Sequence, residues 1–205
     1  MNYRVHPTAT IEQNVAIGNG SSVWDHVHIR FNARLGDECI VGGKTYIAYD
    51  VVIGHRCKIN SAVYICTGVT IEDGVMIAAG TIFTNDRYPR ATTPDLSALL
   101  PSEPDDLTEK TLVKCGVTIG AGCLIGSDLT IGRWAMIGMG SVVTRDVPDF
   151  HLCVGSPARS IGAVCRCGNV VEMFSDEMPP VTTLICSRCQ RQYTRNDRQI
   201  TEAIS

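Results

Sequence analysis

The chain has 205 residues, of which 44% are hydrophobic and only 6% aromatic, and its formal net charge is −3. This small, mixed charge excludes a nucleic-acid or membrane surface that works through bulk electrostatics. No run approaches the ~18 apolar residues of a spanning helix, and the N-terminus carries no apolar signal-peptide core. We therefore expect a cytoplasmic protein with one main domain, a small appendage and an aliphatic core.

An apolar residue recurs at every sixth position, first from Val5 to Phe83 and again from Val113 to Val143. A small or β-branched residue usually follows four positions later, and glycine often stands directly after the apolar residue. This pattern predicts a short strand and a corner every six residues, with the apolar and the small side chains both pointing inward. The twenty apolar anchors are Val5, Ile11, Ile17, Val23, Ile29, Leu35, Val41, Ile47, Ile53, Ile59, Ile65, Ile71, Ile77, Phe83, Val113, Ile119, Ile125, Ile131, Ile137 and Val143.

Three such hexads would form one coil, so that strands eighteen residues apart stack as parallel neighbours about 4.8 Å apart. A helix is excluded, because six is not a multiple of 3.6 and the segments are rich in β-branched residues and glycine. The repeat therefore predicts an all-β chain that forms a parallel β-helix. A right-handed solenoid with an eighteen-residue pattern is the structural alternative, because the spacing does not fix the handedness.

The repeat has one long interruption, at residues 85–111. This segment is polar and contains four prolines, so a disordered surface insertion is one interpretation. We favour a loop that leaves the prism and folds over a site. The reason is its distinctive opening run, which reads Phe83-Thr84-Asn85-Asp86-Arg87-Tyr88-Pro89-Arg90-Ala91.

Four of the ten cysteines cluster after the repeat, in the runs Cys165-Arg-Cys167 and Cys186-Ser-Arg-Cys189. Two closely spaced pairs in a cytoplasmic protein predict a four-thiolate zinc site, and a disulfide pair is the less favoured alternative. A closed site leaves no open position for catalysis, so we expect structural zinc that supplies folding energy to a small ribbon.

We divide the chain into a β-helix domain at residues 1–162 and a zinc-ribbon-like module with a tail at residues 163–205. The division follows the end of the hexads before residue 150 and the position of the cysteine pairs. A short helix is expected in the tail between Asn196 and Ser205.

The stretch from Gly138 to Arg159, together with the hexads, resembles the hexapeptide-repeat acyltransferases that use acetyl-CoA. A capping turn at residues 154–159 is compatible with that resemblance. The resemblance implies a left-handed β-helix, a homotrimer, and CoA in the groove between adjacent prisms. It implies that backbone groups around Gly120, Gly138 and Ser141 line the pantetheine, and that Arg145 and Arg159 contact the CoA phosphates.

Three runs narrow the resemblance to nucleotide-sugar N-acetyltransferases, over roughly residues 3–162. They are Val23-Trp24-Asp25-His26-Val27-His28-Ile29, Cys57-Lys58-Ile59-Asn60 and the opening of the insertion, Phe83 to Arg90. These enzymes act on UDP- or dTDP-linked amino sugars, especially 3-amino-3-deoxy sugars. The implied reaction is direct attack of the sugar amine on the acetyl-CoA thioester.

Two residues that open the insertion are the catalytic candidates. Asn85 matches the family asparagine that lies beside the reacting amine, and its carbonyl oxygen would orient that amine. Asp86 is the second candidate, although a turn-stabilising role explains it equally well.

The candidates for sugar or diphosphate contacts are His28, Lys58, Asn60 and Arg90. His28 follows the inward-facing Val27, so it would project outward. Solvated surface positions explain the other three equally well.

A γ-class carbonic anhydrase is a rival within the same fold, because Val51-Val52-Ile53-Gly54-His55 resembles its zinc-binding motif. Asn60, however, stands where that motif has its second histidine, and a tetrahedral zinc site without this ligand is badly weakened. We therefore interpret His55 as a solvent-facing corner residue. A non-catalytic trimeric scaffold is the remaining alternative.

Overall fold

The computed structural model describes residues 2–101, 104, 108–177 and 179–203, and every regular element within them is a β-strand. Each predicted anchor ends a strand of two or three residues, and every third strand pairs in parallel. The chain is thus a parallel β-helix with three faces around one core, as the six-residue period predicts. No helix with the length and apolar character needed to cross a bilayer occurs in these ranges.

Each of the three faces is a sheet of parallel strands. The sheet of the first face continues past the β-helix through strands that pair antiparallel. The first face contains β1 (Arg4–Val5), β4 (Ser22–Val23), β7 (Ile40–Val41), β10 (Lys58–Ile59), β13 (Met76–Ile77), β16 (Thr118–Ile119), β19 (Met136–Ile137), β21 (His151–Gly155), β22 (Ala158–Val164) and β23 (Val170–Met173). The second face contains β2 (Thr10–Ile11), β5 (His28–Ile29), β8 (Tyr46–Ile47), β11 (Tyr64–Ile65), β14 (Ile82–Phe83), β17 (Leu124–Ile125) and β20 (Val142–Val143). The third face contains β3 (Ala16–Ile17), β6 (Arg34–Leu35), β9 (Val52–Ile53), β12 (Val69–Ile71), β15 (Thr111–Val113) and β18 (Thr130–Ile131).

The core is a column of mainly aliphatic side chains. The anchors from Val23 to Val143 are at most 4% exposed, whereas Val5, Ile11 and Ile17 are half-buried because the first coil is packed from one side only. Burial of each such side chain stabilises the fold by about 1.5–3 kcal/mol. The β-helix is therefore stabilised by apolar contacts spread evenly along its axis.

The corners are tight because successive coils approach closely. A Cβ atom on Gly18 would lie 2.4 Å from the carbonyl carbon of Gly36, which confirms that glycine after an anchor relieves crowding. The third residue after most anchors has a positive φ, such as 60° at Asn32 and 67° at Gly122. Asparagine, aspartate and glycine adopt this conformation most readily. We call the corner between the first and second faces the first corner, and the two that follow it the second and third corners.

The insertion leaves at the second corner after β14 and returns before β15. Val69 of β12 pairs with Thr111 of β15, so the coils stack without a shift across the interruption. Thr92 and Leu99 form an antiparallel bridge within the loop. Residues 102, 103 and 105–107 of the predicted insertion lie outside the described ranges.

The ribbon continues directly from the β-helix. Strand β22 pairs antiparallel with β21 on one side and β23 on the other, so one sheet runs through the predicted division at residues 162 and 163. A separate antiparallel sheet contains β24 (Val181–Ile185), β25 (Gln192–Asn196) and β26 (Gln199–Glu202). The two cysteine pairs follow β22 and β24, respectively.

The helix predicted between Asn196 and Ser205 is wrong. Strand β26 occupies this part of the tail and pairs antiparallel with β25, with Ile200 buried between exposed neighbours. This two-residue alternation is the period of a strand, and β25 offers unpaired backbone groups at its edge. Residues 204 and 205 lie outside the described ranges.

Candidate active site and metal centre

The second corner brings the two ends of the insertion together. Asn85 is half-buried, and its backbone carbonyl accepts a 3.3 Å hydrogen bond from the amide of Glu109. Phe83 pairs with Ile125 in the next coil, so Ser127 takes the place equivalent to Asn85. Adjacent coils are about 4.8 Å apart, which makes Asn85 and Ser127 direct neighbours.

Glu109 is a functional candidate that the sequence analysis missed. Its side chain is only 12% exposed. The Ser127 hydroxyl donates a hydrogen bond to Glu109 Oε2, and Arg87 Nη1 lies 3.5 Å from Glu109 Oε1. Its position just before the six-residue register resumes shows that it lies close to the β-helix. No sequence pattern, however, predicts that the carboxylate at this position is shielded from solvent.

Asp86 and Arg90, the other two candidate site residues at the start of the insertion, face solvent. Asp86 Oδ1 accepts a 2.9 Å hydrogen bond from the amide of Tyr88, which is the turn-stabilising contact considered above. Arg90 donates a 2.8 Å hydrogen bond to the carbonyl of Pro89. Both side chains are exposed at the loop surface.

His28 belongs to a polar cluster on the second face. His28 Nε2 lies 2.7 Å from Glu12 Oε1, and its ring meets Tyr46 edge-on. Arg30 Nη1 donates a 2.8 Å hydrogen bond to Tyr46, while Arg30 Nε lies 2.6 Å from Glu12 but is not aligned for a hydrogen bond. Although desolvation acts to raise the pKa of Glu12, Arg30 and His28 hold that pKa below its ordinary value. His28 is three strands from Ile82 of β14, or about 14 Å along the axis.

Lys58 and Asn60 lie away from the insertion. Lys58 projects from β10 on the first face, and Asn60 follows it at the first corner. Both side chains are exposed. Within one chain they are therefore not brought together with Asn85, which lies at the second corner.

The glycines and the serine expected along pantetheine lie at the first corner. Gly120 and Gly138 follow their anchors there, and a Cβ on Gly120 would be 2.5 Å from the amide nitrogen of Met139. Ser141 is fully buried, with its hydroxyl bonded to the carbonyl of Gly138 and the amide of Gly155. Ser141 therefore has no surface that a ligand could contact in a single copy of the chain.

The two arginines expected at the CoA phosphates are both exposed but lie apart in the fold. Arg145 is at the second corner, in the column of Asn85 and Ser127, because Ile125 pairs with Val143. Arg159 is in β22 beyond the last coil, where it donates a 2.8 Å hydrogen bond to the carbonyl of Ala158.

His55 lies in a ladder of hydrogen bonds at the third corner. Its Nδ1 accepts a 2.9 Å hydrogen bond from the amide of Asp37, and its own amide donates to Asp73 Oδ1. The Nδ1 side of the ring and the backbone amide of His55 thus link successive coils. Among the described residues, the only cluster of possible metal ligands is the cysteine cluster of the ribbon, so the carbonic-anhydrase alternative has no histidine site to support it.

The four predicted metal ligands converge on one point. The Sγ atoms of Cys165, Cys167, Cys186 and Cys189 all lie within 4.8 Å of one another. Cys165 Sγ is 3.3 Å from Cys189 Sγ and Cys167 Sγ is 3.6 Å from Cys186 Sγ, which is far beyond the ~2.05 Å of a disulfide bond. All four are free thiols.

These distances suit zinc. Four thiolates at ~2.3 Å from a tetrahedral ion are ~3.8 Å from one another. Hydrogen bonds from the backbone and guanidinium of Arg191 lower the pKa of Cys189 to about 6, which favours the thiolate that a metal needs. Burial raises the pKa of Cys165 to about 12, so this thiol would need the bound cation itself to ionise. Four ligands close the coordination sphere, so the donor set fits a structural ion.

Two sequence families match the coils described above. The family described as bacterial transferase hexapeptide (six repeats) matches residues 110–145, and the one described as hexapeptide repeat of succinyl-transferase matches residues 50–85. The chain therefore contains hexapeptide repeats that resemble those of both families. The matched residues belong to the β-helix and lie on both sides of the insertion.

Curated relatives are enzymes that transfer acetyl groups. The chain is 38% identical over 95 residues to the dTDP-3-amino-3,6-dideoxy-alpha-D-galactopyranose 3-N-acetyltransferase of Aneurinibacillus thermoaerophilus. The matched residues make up 46% of each chain. The chain is also 46% identical over 50 residues to the serine acetyltransferase of Escherichia coli (strain K12), covering 24% of this chain and 18% of that protein. The chain therefore spans less than half the length of these relatives.

Solved structures share the fold. A variant of AntD, an N-acyltransferase from Bacillus cereus in complex with dTDP and coenzyme A, superposes with a TM-score of 0.54 at 22% identity, covering 81% of this chain and 85% of that one. The UDP-N-acetylglucosamine acyltransferase of Francisella novicida gives a TM-score of 0.55 at 15% identity, covering 79% and 67%.

Proposed function

We propose that this protein is an acetyl-CoA-dependent N-acetyltransferase that acts on a nucleotide-linked 3-amino-3-deoxy sugar. The observation that carries the proposal is the 38% identity over 95 residues to a dTDP-3-amino sugar 3-N-acetyltransferase. The bound dTDP and coenzyme A of AntD, on a fold of the same kind, give further support. The nucleotide is dTDP or UDP.

Asn85 is the residue that we assign to the reacting amine. Asn85 lies where the insertion leaves the β-helix, in the same column as Ser127, and its carbonyl accepts a hydrogen bond from the amide of Glu109. The side-chain amide oxygen of Asn85 would accept a hydrogen bond from the amine and orient its lone pair toward the thioester carbonyl. Positioning of this kind lowers the barrier because both reactants are held at attack distance. Asp86 keeps its turn-stabilising role in this assignment.

Acetyl-CoA would lie along the first corner of one copy, in a groove that is completed by the second corner of a neighbouring copy with its Asn85 and Arg145. Apolar side chains project from the two faces that meet at the first corner, and each is 38–44% exposed; they are Ile40, Met76, Tyr64, Ile82 and Leu124. An exposed apolar surface of this extent suits contact with other copies. We therefore assign a homotrimer, with Arg145 and Arg159 available to CoA phosphates.

The cysteine cluster would hold one structural zinc ion. Its four sulfur donors and their spacing support this assignment. Metal analysis of protein purified without a chelator should give one zinc per chain, and its absence would overturn the assignment.

The proposed activity is tested by acetyl-CoA consumption with a panel of dTDP- and UDP-linked 3-amino and 4-amino sugars. We expect turnover on a 3-amino sugar. Asn85→Ala should lower kcat by about 10²- to 10³-fold, because it removes one directed contact in the transition state. Asn19→Ala is the matched control, since Asn19 is exposed at the third corner of the first coil.

Two results would overturn the proposed function. One is a lack of turnover by the wild-type protein on every 3-amino sugar in the panel. The other is an Asn85→Ala variant that is as active as Asn19→Ala and the wild type.

A further inference from the structure

The segment where the insertion returns contains a largely buried acid that has no role in the reaction proposed above. Glu109 lies where the loop rejoins the β-helix, and its amide holds the carbonyl of Asn85. A Cβ on Gly68 would be 2.5 Å from the Glu109 carbonyl oxygen, so the glycine in the preceding coil leaves room for this return. The position of Glu109 is therefore fixed from two sides.

The carboxylate of Glu109 is screened from water and points at Ser127. Its side chain is 12% exposed, with one oxygen bonded to the Ser127 hydroxyl and the other facing Arg87 at 3.5 Å. Ser127 is the direct neighbour of Asn85 in the next coil, because β14 pairs with β17. A hydroxyl thus stands between the buried carboxylate and the place assigned to the sugar amine.

The reaction requires a proton acceptor at this place. An alkylammonium group has a pKa between about 8 and about 10, so the sugar amine is largely protonated at pH 7 and has no lone pair for attack. A base within hydrogen-bonding reach, directly or through one hydroxyl, typically contributes about 10²- to 10⁴-fold in rate.

We propose that Ser127 and Glu109 form a proton relay for the sugar amine, an inference that rests on the function proposed above. The ammonium gives a proton to Ser127 Oγ while the Ser127 hydroxyl proton passes to Glu109. The neutral amine then forms the N–C bond to the thioester carbonyl, and the C–S bond breaks to release the CoA thiolate. The second amine proton and the proton on Glu109 leave to the thiolate and to water, which restores the carboxylate.

Other acids near the site are less suited to this role. Asp86 is exposed and bonded to the amide of Tyr88. Asp128, next to Ser127, is exposed at the corner with a φ of 54°. The charged groups around Glu109 are Arg87 across the loop, Lys110 next in sequence, and Asp128 beside its serine partner.

The test compares Glu109→Gln and Ser127→Ala with the control Asp128→Asn, in which asparagine keeps the left-handed corner. At pH 7, kcat on the 3-amino sugar that the wild type uses should fall about 10²- to 10⁴-fold in each test variant. The kcat of the double variant should fall no further than that of the slower single variant, because both residues act in one relay. Glu109→Asp should recover part of the rate, and Asp128→Asn should match the wild type.

The pH profile separates a proton relay from a purely structural role. Above the pKa of the amine, the substrate loses its proton without help, so the deficit of Glu109→Gln should shrink steadily between pH 7 and about pH 10. An equal deficit at all pH values would overturn the relay, as would wild-type kcat at pH 7 in either single variant.

Controls keep the two proposals distinguishable. Melting temperature and oligomeric state are measured for each variant, and if Glu109→Gln does not fold, Ser127→Ala decides alone by its rate and pH profile. A wild-type protein that turns over no 3-amino sugar overturns the proposed function. A wild-type protein that is active, together with a single variant of either residue that keeps the wild-type kcat, overturns only the relay.

Discussion

The β-helix and the ribbon of this chain are stabilised in different ways. The β-helix buries one anchor per strand, and seventeen successive anchors are at most 4% exposed. The ribbon core is small and contains two cysteines among its buried residues, which are Phe150, Ala163, Cys165, Leu184, Cys186, Tyr193 and Ile200. It also buries Arg195, whose Nε lies 2.6 Å from Glu172. Stability is distributed along the β-helix but concentrated in a few groups in the ribbon.

The cysteine cluster lies where the ribbon contacts the β-helix, so a metal bound there would help to fix the ribbon. Arg166 lies between two of the ligands, and its guanidinium is 4.9 Å from the ring centre of Trp134 at a corner of the β-helix. The same guanidinium lies 2.9 Å from Glu202 of β26. Loss of metal would therefore loosen both the turn that carries Arg166 and the contact between the two regions.

The largest effect should follow from breaking the metal centre. Cys186→Ser should remove zinc and abolish amide-exchange protection in β24, β25 and β26, because structural zinc contributes about 10–16 kcal/mol in small modules. The β-helix should keep its protection, since its core contains none of the four ligands. Cys123→Ala, a buried cysteine of the β-helix, is the control and should retain zinc. Full amide-exchange protection of β24, β25 and β26 in metal-free protein would contradict the idea that a few groups, the metal among them, stabilise the ribbon.

Truncation of an anchor should destabilise the β-helix itself. Ile77→Ala removes a side chain with no exposed surface and should lower the free energy of unfolding by about 2–5 kcal/mol. Ile200→Ala in the ribbon should instead lower protection only in β24 to β26. Urea unfolding followed by amide exchange separates the two, and a global loss of stability from Ile200→Ala would show that the regions unfold as one.

A smaller effect is expected at the corners. Gly36→Ala should cost about 1–3 kcal/mol, because its Cβ would lie 2.6 Å from backbone atoms of Gly54. Gly20→Asn is the matched control, with a φ of 74° that asparagine tolerates and a nearest contact of 3.4 Å. Thermal unfolding of both variants tests this, and equal melting temperatures would refute close approach of the coils as the cause.

The smallest effect should come from His151, which joins the last coil to the ribbon. Its ring lies 2.7 Å from Ser160 Oγ and 2.6 Å from the carbonyl of Arg198, and burial lowers the pKa of His151 below 6.5. The unfolded chain then binds a proton that the folded chain does not, so stability should fall as pH drops below about 6.5. His151→Gln should weaken this dependence in urea unfolding between about pH 7.5 and about pH 5.5. If the free energy of unfolding depended on pH identically in the wild type and in His151→Gln, His151 would be excluded as the cause of the pH dependence.

The β-helix could be predicted in detail because its pattern repeats. Each anchor confirms the register of the others, so Ile125 is placed as securely as Ile65 on the far side of the insertion. The same rule accounts for Ser141, which stands four residues after Ile137, at the place that the repeat assigns to the interior. The hydroxyl is buried there, as the period requires.

The candidate site could be predicted only in part. Its motif singles out Asn85 as a catalytic candidate, which stays a prediction, whereas the position of Glu109 depends on where a non-periodic loop returns, and no period determines that. Lys58 and Asn60 share an outward position in sequence yet lie on another side of the prism from Asn85. The tail strand β26 forms because β25 offers a free edge, which is a tertiary feature that short-range patterns do not contain.

The central claim is that this protein acetylates the amine of a nucleotide-linked 3-amino sugar. The most direct measurement is mass spectrometry and NMR of the sugar product after incubation with isotopically labelled acetyl-CoA. The account predicts a mass increase of one labelled acetyl group, with the label in an amide at the C3 nitrogen, and formation of that product about 10²- to 10³-fold more slowly with Asn85→Ala. An unmodified 3-amino sugar, or a label found on a hydroxyl oxygen, would contradict it.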